Sequence, residues 1–386
     1  IMFSVISSGM VAVMTQNIGA GRPGVAYQAR QLGLVFNAAL GVIMSLFLSL
    51  GAGTILSGVG VADALMQPAK TYLQIVGGFC ILNALIPICS SYLRAFGFSK
   101  EPLYASIIGN VINFCLNAFF LFVLHKGVAG VATATVISRI INLVIVVLLG
   151  AVLVKAKQHP ERESNRAVMG QIIRIGLPSA CETAIYNVSM TLVIRFLNQM
   201  DAQGLNVTAR SYTMQITNFS YCVGAALAQA NAIMTGWHIG AKEYDACDRG
   251  TKKAAVIGVI VAVILETVFT LCSGWIMQLF SKDPQMVSLV GKLLAIDIVL
   301  EIGRVTNLVY GQALKTSGDA VFPVVMGACF MILCSVGGTY LFGIRLGLLA
   351  VGAYIGMTGD ECVRAVGMYL RWKSGKWKEK GLVKSR

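Results

Sequence analysis

The chain has 386 residues, of which 56% are hydrophobic and 12% charged, and its mean hydropathy is +0.74. A soluble domain carries roughly 25% charged residues, so this chain is placed in a bilayer, as a set of helices too long and continuous for the alternating strands of a membrane barrel. The net charge of +14 does not point to nucleic acid, because the Lys and Arg lie in short loops and the C-terminal tail, and the ten Cys form no C-x-x-C pair that would suggest a metal site or disulfide frame.

In chain order, the apolar blocks predict eleven spans. The first five are Ile1–Ile18, Leu32–Gly60, Tyr72–Phe96, Leu103–Leu124 and Val128–Val154. The other six are Met169–Gln199, Val207–Gly236, Ala254–Phe280, Met286–Leu314, Ala320–Gly343 and Gly347–Leu370. Between the two sets lies Lys155–Arg174, the strongest polar interruption, with Met169–Arg174 read as an interfacial turn.

The two sides repeat one another. Gly19-Ala20 recurs as Gly240-Ala241, Leu93-Arg94 as Leu314-Lys315, Gly97 as Gly318 and Pro102 as Pro323, always 221 residues apart. Gly127 and Val131 find Gly347 and Val351 after a one-residue slip. The fold class expected is therefore an all-α polytopic membrane protein of two parallel-repeat six-helix lobes. The predicted organisation is an N-terminal lobe over 1–154, a cytoplasmic linker over 155–168, a C-terminal lobe over 169–370 and a basic cytoplasmic tail over 371–386. Only five spans precede the linker, and the repeat maps Met169 to a position before Ile1, so one further helix is expected upstream, with eleven of twelve present.

Loop charge sets the expected orientation. The linker side and the tail carry 20 Lys and Arg, whereas the alternate loops carry six, namely Lys70, Lys126, Arg195, Arg210, Lys282 and Arg345. The richer side is predicted to be cytoplasmic, with the protein in the plasma or inner membrane. Asn206-Val207-Thr208 is a glycosylation sequon in an outer loop, read as incidental.

Acids inside apolar spans are the strongest functional signal, because an unpaired charge in hydrocarbon is expensive. The second-half spans hold Glu182, Glu266, Asp297, Glu301, Asp360 and Glu361, and the first-half spans hold none. Asp297, Glu301, Arg304 and Leu308 share one helix face. Glu301 and Arg304 are spaced to pair, and Asp297 is then the better proton or cation carboxylate. Arg304, Asp360, Glu361 and Arg364 are the candidates for structural ion pairs. Glu182, four residues after Pro178 and without a local base, is a candidate coupling-ion or substrate carboxylate, and Glu301 joins Asp297 and Glu182 as a coupling-ion or proton candidate. Polar, aromatic and Met side chains suit a cleft for varied organic cations. The candidates for its lining are Tyr186, Asn187, Met214, Gln215, Asn218, Asn113 and Asn117, and interhelical hydrogen bonding is an equal alternative for the Asn stripe.

No enzyme motif is found. H-E-x-x-H, G-x-S-x-G and a P-loop are absent, and Gly356-Met-Thr-Gly359-Asp360 is one residue too long for an intramembrane aspartyl protease signature. The chain is expected to be a non-enzyme, without cofactor, whose partners are the lipid bilayer and small organic molecules, working as a monomer.

Several segments together resemble the multidrug and toxic compound extrusion (MATE) transporters, across essentially the whole chain. They are NIGAGRPGVAYQAR with its weaker repeat HIGAKEYDACDR, YLRAFGFSKEPLYASIIGN with its repeat ALKTSGDAVFPVVMG, GVAGVATATVISR, and IGLPSACETAIYN. The resemblance implies two six-helix lobes flanking a cleft, and antiport of organic, often cationic compounds against protons or sodium. It implies that one usual acid lies on the first helix, upstream of Ile1. It places Glu182 on the helix where many members hold a glutamate, nearer the Pro than usual. It aligns Arg304 with a familiar aspartate, a departure from the sodium-type pattern. Two other readings stay open: a lipid-linked saccharide flippase of similar build, which would need a cationic cleft, and a non-transporting receptor or scaffold.

Overall fold

The computed structural model describes residues 2–59, 61–154, 161–201 and 204–383. Among these residues there is no strand. The chain divides into two compact units, Met2–Gly176 and Leu177–Arg386. Each of the eleven predicted spans falls on a helical run, but among the described residues five helices are both long and apolar enough to cross a membrane by length and composition, or six with a bent pair counted as one.

In the N-terminal unit, α1 (Met2–Gly19), α2 (Pro23–Leu50) and α5 (Cys80–Ala95) pack on one another, and α6 (Lys100–Ala118) packs on α7 (Gly127–Leu153). Ile6, Met10, Met14, Ile88, Tyr92 and Leu93 form its dry centre. Two spans differ in outline from their sequence reading. The second begins at Pro23, which suits the first helical position, and breaks at Gly51 before α3 (Ala52–Val59). The third is already helical in α4 (Asp63–Tyr72), passes through a π turn at Leu73–Gly77, and bends by 41° before α5.

The polar stretch is not a free linker where it is described. Residues 155–160 lie outside the described residues. Beyond them, Arg22 pairs with Glu163, and the Gln28 amide donates to Glu163 O at 2.7 Å and to Asn165 Oδ1 at 2.6 Å. Met169–Arg174 is not an interfacial turn but part of α8 (Asn165–Met200), because Ile172 and Ile175 are buried. The division between units falls at Gly176, inside this helix.

In the C-terminal unit, α12 (Pro284–Ser317) is the central element, packed against α9 (Leu205–Gly240), α10 (Tyr244–Leu271) and α14 (Leu349–Lys373). Gly303 makes the α12–α14 approach possible, since a Cβ there would lie 2.8 Å from Cys362 N. Small residues serve this purpose at helix interfaces in membranes. The sequon lies not in a loop but at the start of α9, where Asn206 is buried and its Oδ1 accepts from Ala350 N at 3.1 Å. The tenth span is α13 (Val321–Phe330) followed by π turns at Met331–Val336 and Thr339–Arg345.

The sequence repeat recurs in the backbone. Gly21 and Lys242 are both left-handed, with φ of 71° and 62°, as are Gly97 and Gly318, at 88° and 99°. These pairs keep the 221-residue offset, and so does the π turn at Phe119–Val123, which falls within Thr339–Arg345.

The basic tail is docked rather than loose. Trp377, in a 3₁₀ turn (Lys376–Glu379), stacks on Trp372 with centroids 4.1 Å apart, and both rings are fully buried. Trp377 Nε1 donates to Trp372 O at 2.9 Å, and Trp372 Nε1 donates to Asp248 Oδ1 at 2.8 Å. Two indoles whose N–H groups both find partners lose little on burial, which is why this stretch folds back although it is rich in Lys. Residues 384–386 lie outside the described residues. Trp377→Ala is predicted to destabilise the C-terminal unit by about 3 kcal/mol or more, read as a lower melting temperature of the purified protein. An unchanged melting temperature would mean that the tail does not dock.

Candidate functional site

The ionisable residues of the C-terminal unit converge on α12. Arg304 pairs with Glu301 one turn back, and its Nε lies 3.8 Å from Glu361 Oε1 on α14. Arg364 is held between two acids: Nε donates to Asp360 Oδ1 at 2.7 Å, and Nη2 lies 2.8 Å from Glu361 Oε1. Ser335 donates to Asp360 Oδ2 at 2.9 Å, and the Asn307 amide donates to Glu361 Oε2 at 3.0 Å. Asp360, Glu361, Arg364 and Arg304 thus form one network in which every charge has an opposite neighbour.

A second group is different. Glu266 on α10 meets Asp297 and Glu301 on α12, with one carboxylate oxygen from each within 4.8 Å of the other two. Their residual exposures are 0%, 2% and 0%. Both Glu266 oxygens, Asp297 Oδ2 and Glu301 Oε2 are buried without a hydrogen-bond partner. Ser220 Oγ, also buried, lies beside Glu266. Three carboxylates cannot stay close in a dry interior as free anions. Oxygens at this spacing can share protons or surround one hard cation. Sequence reading counted Glu266 among the span acids without selecting it as a site residue. It sits 31 positions before Asp297 on another helix, and no local pattern joins the two.

Two cavities adjoin this group. A cavity of about 350 Å³ is lined by Glu182, Tyr186, Asn187, Tyr221, Arg304 and Leu308, among others. Its Glu182 is not without a base: Lys315 Nζ of α12 lies 2.6 Å from Oε2. Helix α12 therefore offers the contact that the local sequence around Glu182 lacks. A second cavity, of about 210 Å³, is bordered by Asp297, Arg210, Met214, Asn218 and Tyr354, and it shares Tyr186, Tyr221 and Arg304 with the first. Gln215 lines neither cavity and is exposed on α9. Asn113 and Asn117 belong to the other unit: the Asn117 amide donates to Asn113 Oδ1 at 3.0 Å, and the Asn113 amide donates to Ser138 Oγ at 3.3 Å, joining α6 to α7.

Arg210 is a residue that loop counting misplaced. It is inside α9, 5% exposed, and not in an outer loop. Arg195 is likewise inside α8, though exposed. Helices α8, α9, α12 and α14 are not among the long apolar ones, and these carry the residues just described.

Comparison with known proteins gives one consistent result. A family model described as MatE matches residues 1–119 and 178–341. An uncharacterized transporter, YisQ, of Bacillus subtilis (strain 168) is 32% identical over 99% of this chain and 85% of its own length. A probable multidrug resistance protein, NorM, of Thermotoga maritima is 22% identical, covering 88% of this chain and 76% of its own. A solved structure of a multidrug resistance MATE family transporter in an outward-facing conformation superposes with a TM-score of 0.88 at 18% identity, over 98% of this chain and 85% of the other. A MATE structure in a bent conformation gives the same TM-score, also at 18% identity, over 98% and 84% of the two chains.

The two acidic groups should answer differently to substitution. Arg364→Leu leaves Asp360 buried without its cation and Glu361 with Arg304 alone, and is predicted to cost about 3–5 kcal/mol. Glu266→Gln breaks no hydrogen bond and is predicted to stay within about 1 kcal/mol of the parent. Denaturant unfolding of the two variants checks the contrast, and equal losses would contradict it.

Proposed function

We propose that this chain, which belongs to the MatE family of transporters, is a secondary antiporter that exports amphipathic organic compounds, cationic ones among them, in exchange for protons or sodium. The observation that carries this reading is the buried group Glu266, Asp297 and Glu301, whose oxygens lie within 4.8 Å of one another and are short of hydrogen-bond donors. Such a group takes up or releases a cation at little structural cost. It adjoins a cavity with Tyr186, Tyr221, Met190 and Met214 in its wall, surfaces that accept varied organic bodies.

Arg304 provides the coupling. It belongs to the walls of both cavities and is bound to Glu301, with Glu361 as a second carboxylate 3.8 Å away. When a proton or sodium ion neutralises Glu301, the attraction holding Arg304 there weakens and Glu361 competes for it. The guanidinium then moves within the wall that both cavities share. A cationic substrate near Asp297 opposes ion uptake by the same charge balance, and by linkage ion and substrate weaken each other's binding by equal factors. Glu182, with Lys315 as its counter-ion, is a second exchange point in the larger cavity. In this reading the chain works as a monomer, with its C-terminus in the cytoplasm and no cofactor beyond the exchanged ion.

The test is efflux of a cationic dye from proteoliposomes under an imposed proton or sodium gradient. Asp297→Asn, Glu301→Gln and Glu182→Gln are each predicted to slow gradient-driven efflux about tenfold or more while inserting normally. Efflux that responds to neither gradient, or that survives in all three variants, would sink the proposal.

A further inference from the structure

Three guanidinium groups lie deep in the C-terminal unit, and the structure accounts for two of them. Arg364 is enclosed by Asp360 and Glu361, and Arg304 by Glu301 and Glu361. Arg210 is the third. It is 5% exposed, and among the described residues no carboxylate lies within ion-pair distance of it. Its Nε has no hydrogen-bond partner, and its Nη2 rests 3.6 Å from Met190 Sδ. A thioether is a weak acceptor, and a guanidinium keeps its charge in a protein interior. The nearest acid in sequence, Asp201, is engaged elsewhere, accepting from Leu205 N at 2.9 Å and Asn206 N at 3.1 Å.

The unpaired cation borders the cavity of about 210 Å³ that also contains Asp297. Asp297 Oδ2 is buried and lacks a hydrogen-bond partner as well. Arg210 and Asp297 are thus two unsatisfied groups of opposite charge in one small cavity, with Met190, Met214, Tyr186 and Tyr221 among its walls. Had they met each other, they would form an ordinary buried ion pair, but the structure holds them apart.

We infer that this cavity binds an amphoteric compound, with its carboxylate on Arg210 and its protonated amine on Asp297. The planar fork of a guanidinium matches a carboxylate with two parallel hydrogen bonds. A ligand that is only cationic can pair with Asp297 but leaves Arg210 without a counter-charge and so binds more weakly, and a purely anionic ligand leaves Asp297 without one. An aromatic or alicyclic body between the two charges suits the Tyr and Met walls. The inference extends the transport reading by naming a substrate class, and it depends on that reading for its physiological meaning, whereas binding can be tested without flux.

The experiment is calorimetric titration of the purified full chain with 4-(aminomethyl)benzoic acid, its methyl ester and benzoate. The first carries both charges, the second the cation alone and the third the anion alone. The zwitterion is predicted to bind about tenfold or more tightly than either of the others. Arg210→Met should bring the zwitterion-to-ester affinity ratio close to one, and Arg210→Lys should restore part of it. Ester or benzoate binding as tight as the zwitterion in the parent chain, no binding of the zwitterion, or an unchanged ratio in Arg210→Met would each overturn the inference. If both variants fail to fold, the ranking of the three probes on the parent chain still decides it. Zwitterion binding without gradient-driven dye efflux would count against the antiport reading and leave this site standing.

Discussion

The contact between Arg304 and Glu301 is the interaction on which the C-terminal unit turns. A charge can be carried into an apolar bundle only with a counter-charge in reach. Arg304 serves two carboxylates at once, Glu301 on its own helix and Glu361 on α14. That sharing requires α12 and α14 to lie close, and Gly303, one residue away, removes the Cβ that would hold them apart. From Glu361 the network continues to Arg364 and Asp360, so α12 and α14 are joined by charge as well as by packing. The acids left over, Glu266 and Asp297, gather beside Glu301 at the edge of a cavity. Paired charges and carboxylates without a hydrogen-bond partner are thus neighbours in one unit.

The two units do not share this chemistry. In the N-terminal unit the described polar contacts inside helices include neutral ones, such as the Asn117–Asn113–Ser138 chain and the Asn37 amide, which donates to Ala84 O at 3.2 Å. Among the described residues, an acid–base pair there lies at the polar stretch, where Arg22 meets Glu163. The common repeat has kept its backbone, down to the left-handed turns at Gly97 and Gly318, while the buried carboxylates described inside helices, Glu266, Asp297, Glu301, Asp360 and Glu361, belong to the C-terminal unit. Position 94 shows the divergence in miniature. Arg94 Nε donates to Ser90 O at 3.3 Å, whereas its repeat partner Lys315 reaches Glu182.

Much of the architecture was legible because hydropathy and the 221-residue repeat are properties of the linear chain. Helical runs appear where apolar blocks and turn glycines put them. The contacts of polar and basic residues were less legible for one reason: sequence shows that a residue is charged but not what it meets. The Lys-rich tail has an apolar hold in Trp372 and Trp377 that its charge pattern does not reveal. Arg210 looked like a loop cation because it lies near the end of an apolar block. Glu182 looked unpaired because its lysine comes from α12. The Glu301–Arg304 and Asp360–Arg364 spacings were readable, since one helical turn joins them. Glu266 and Asp297 were not readable as a pair, because only packing of α10 on α12 brings them together.

The central claim is that Glu266, Asp297 and Glu301 hold an exchangeable cation which substrate displaces. The most direct measurement is cation release on substrate binding, in weakly buffered detergent solution, with a pH-sensitive dye for protons and a sodium electrode for sodium. The account predicts that a saturating organic cation releases one of the two ions from the parent chain, and that the release is lost in Asp297→Asn. Tight binding of the cation with no release of either ion would contradict it.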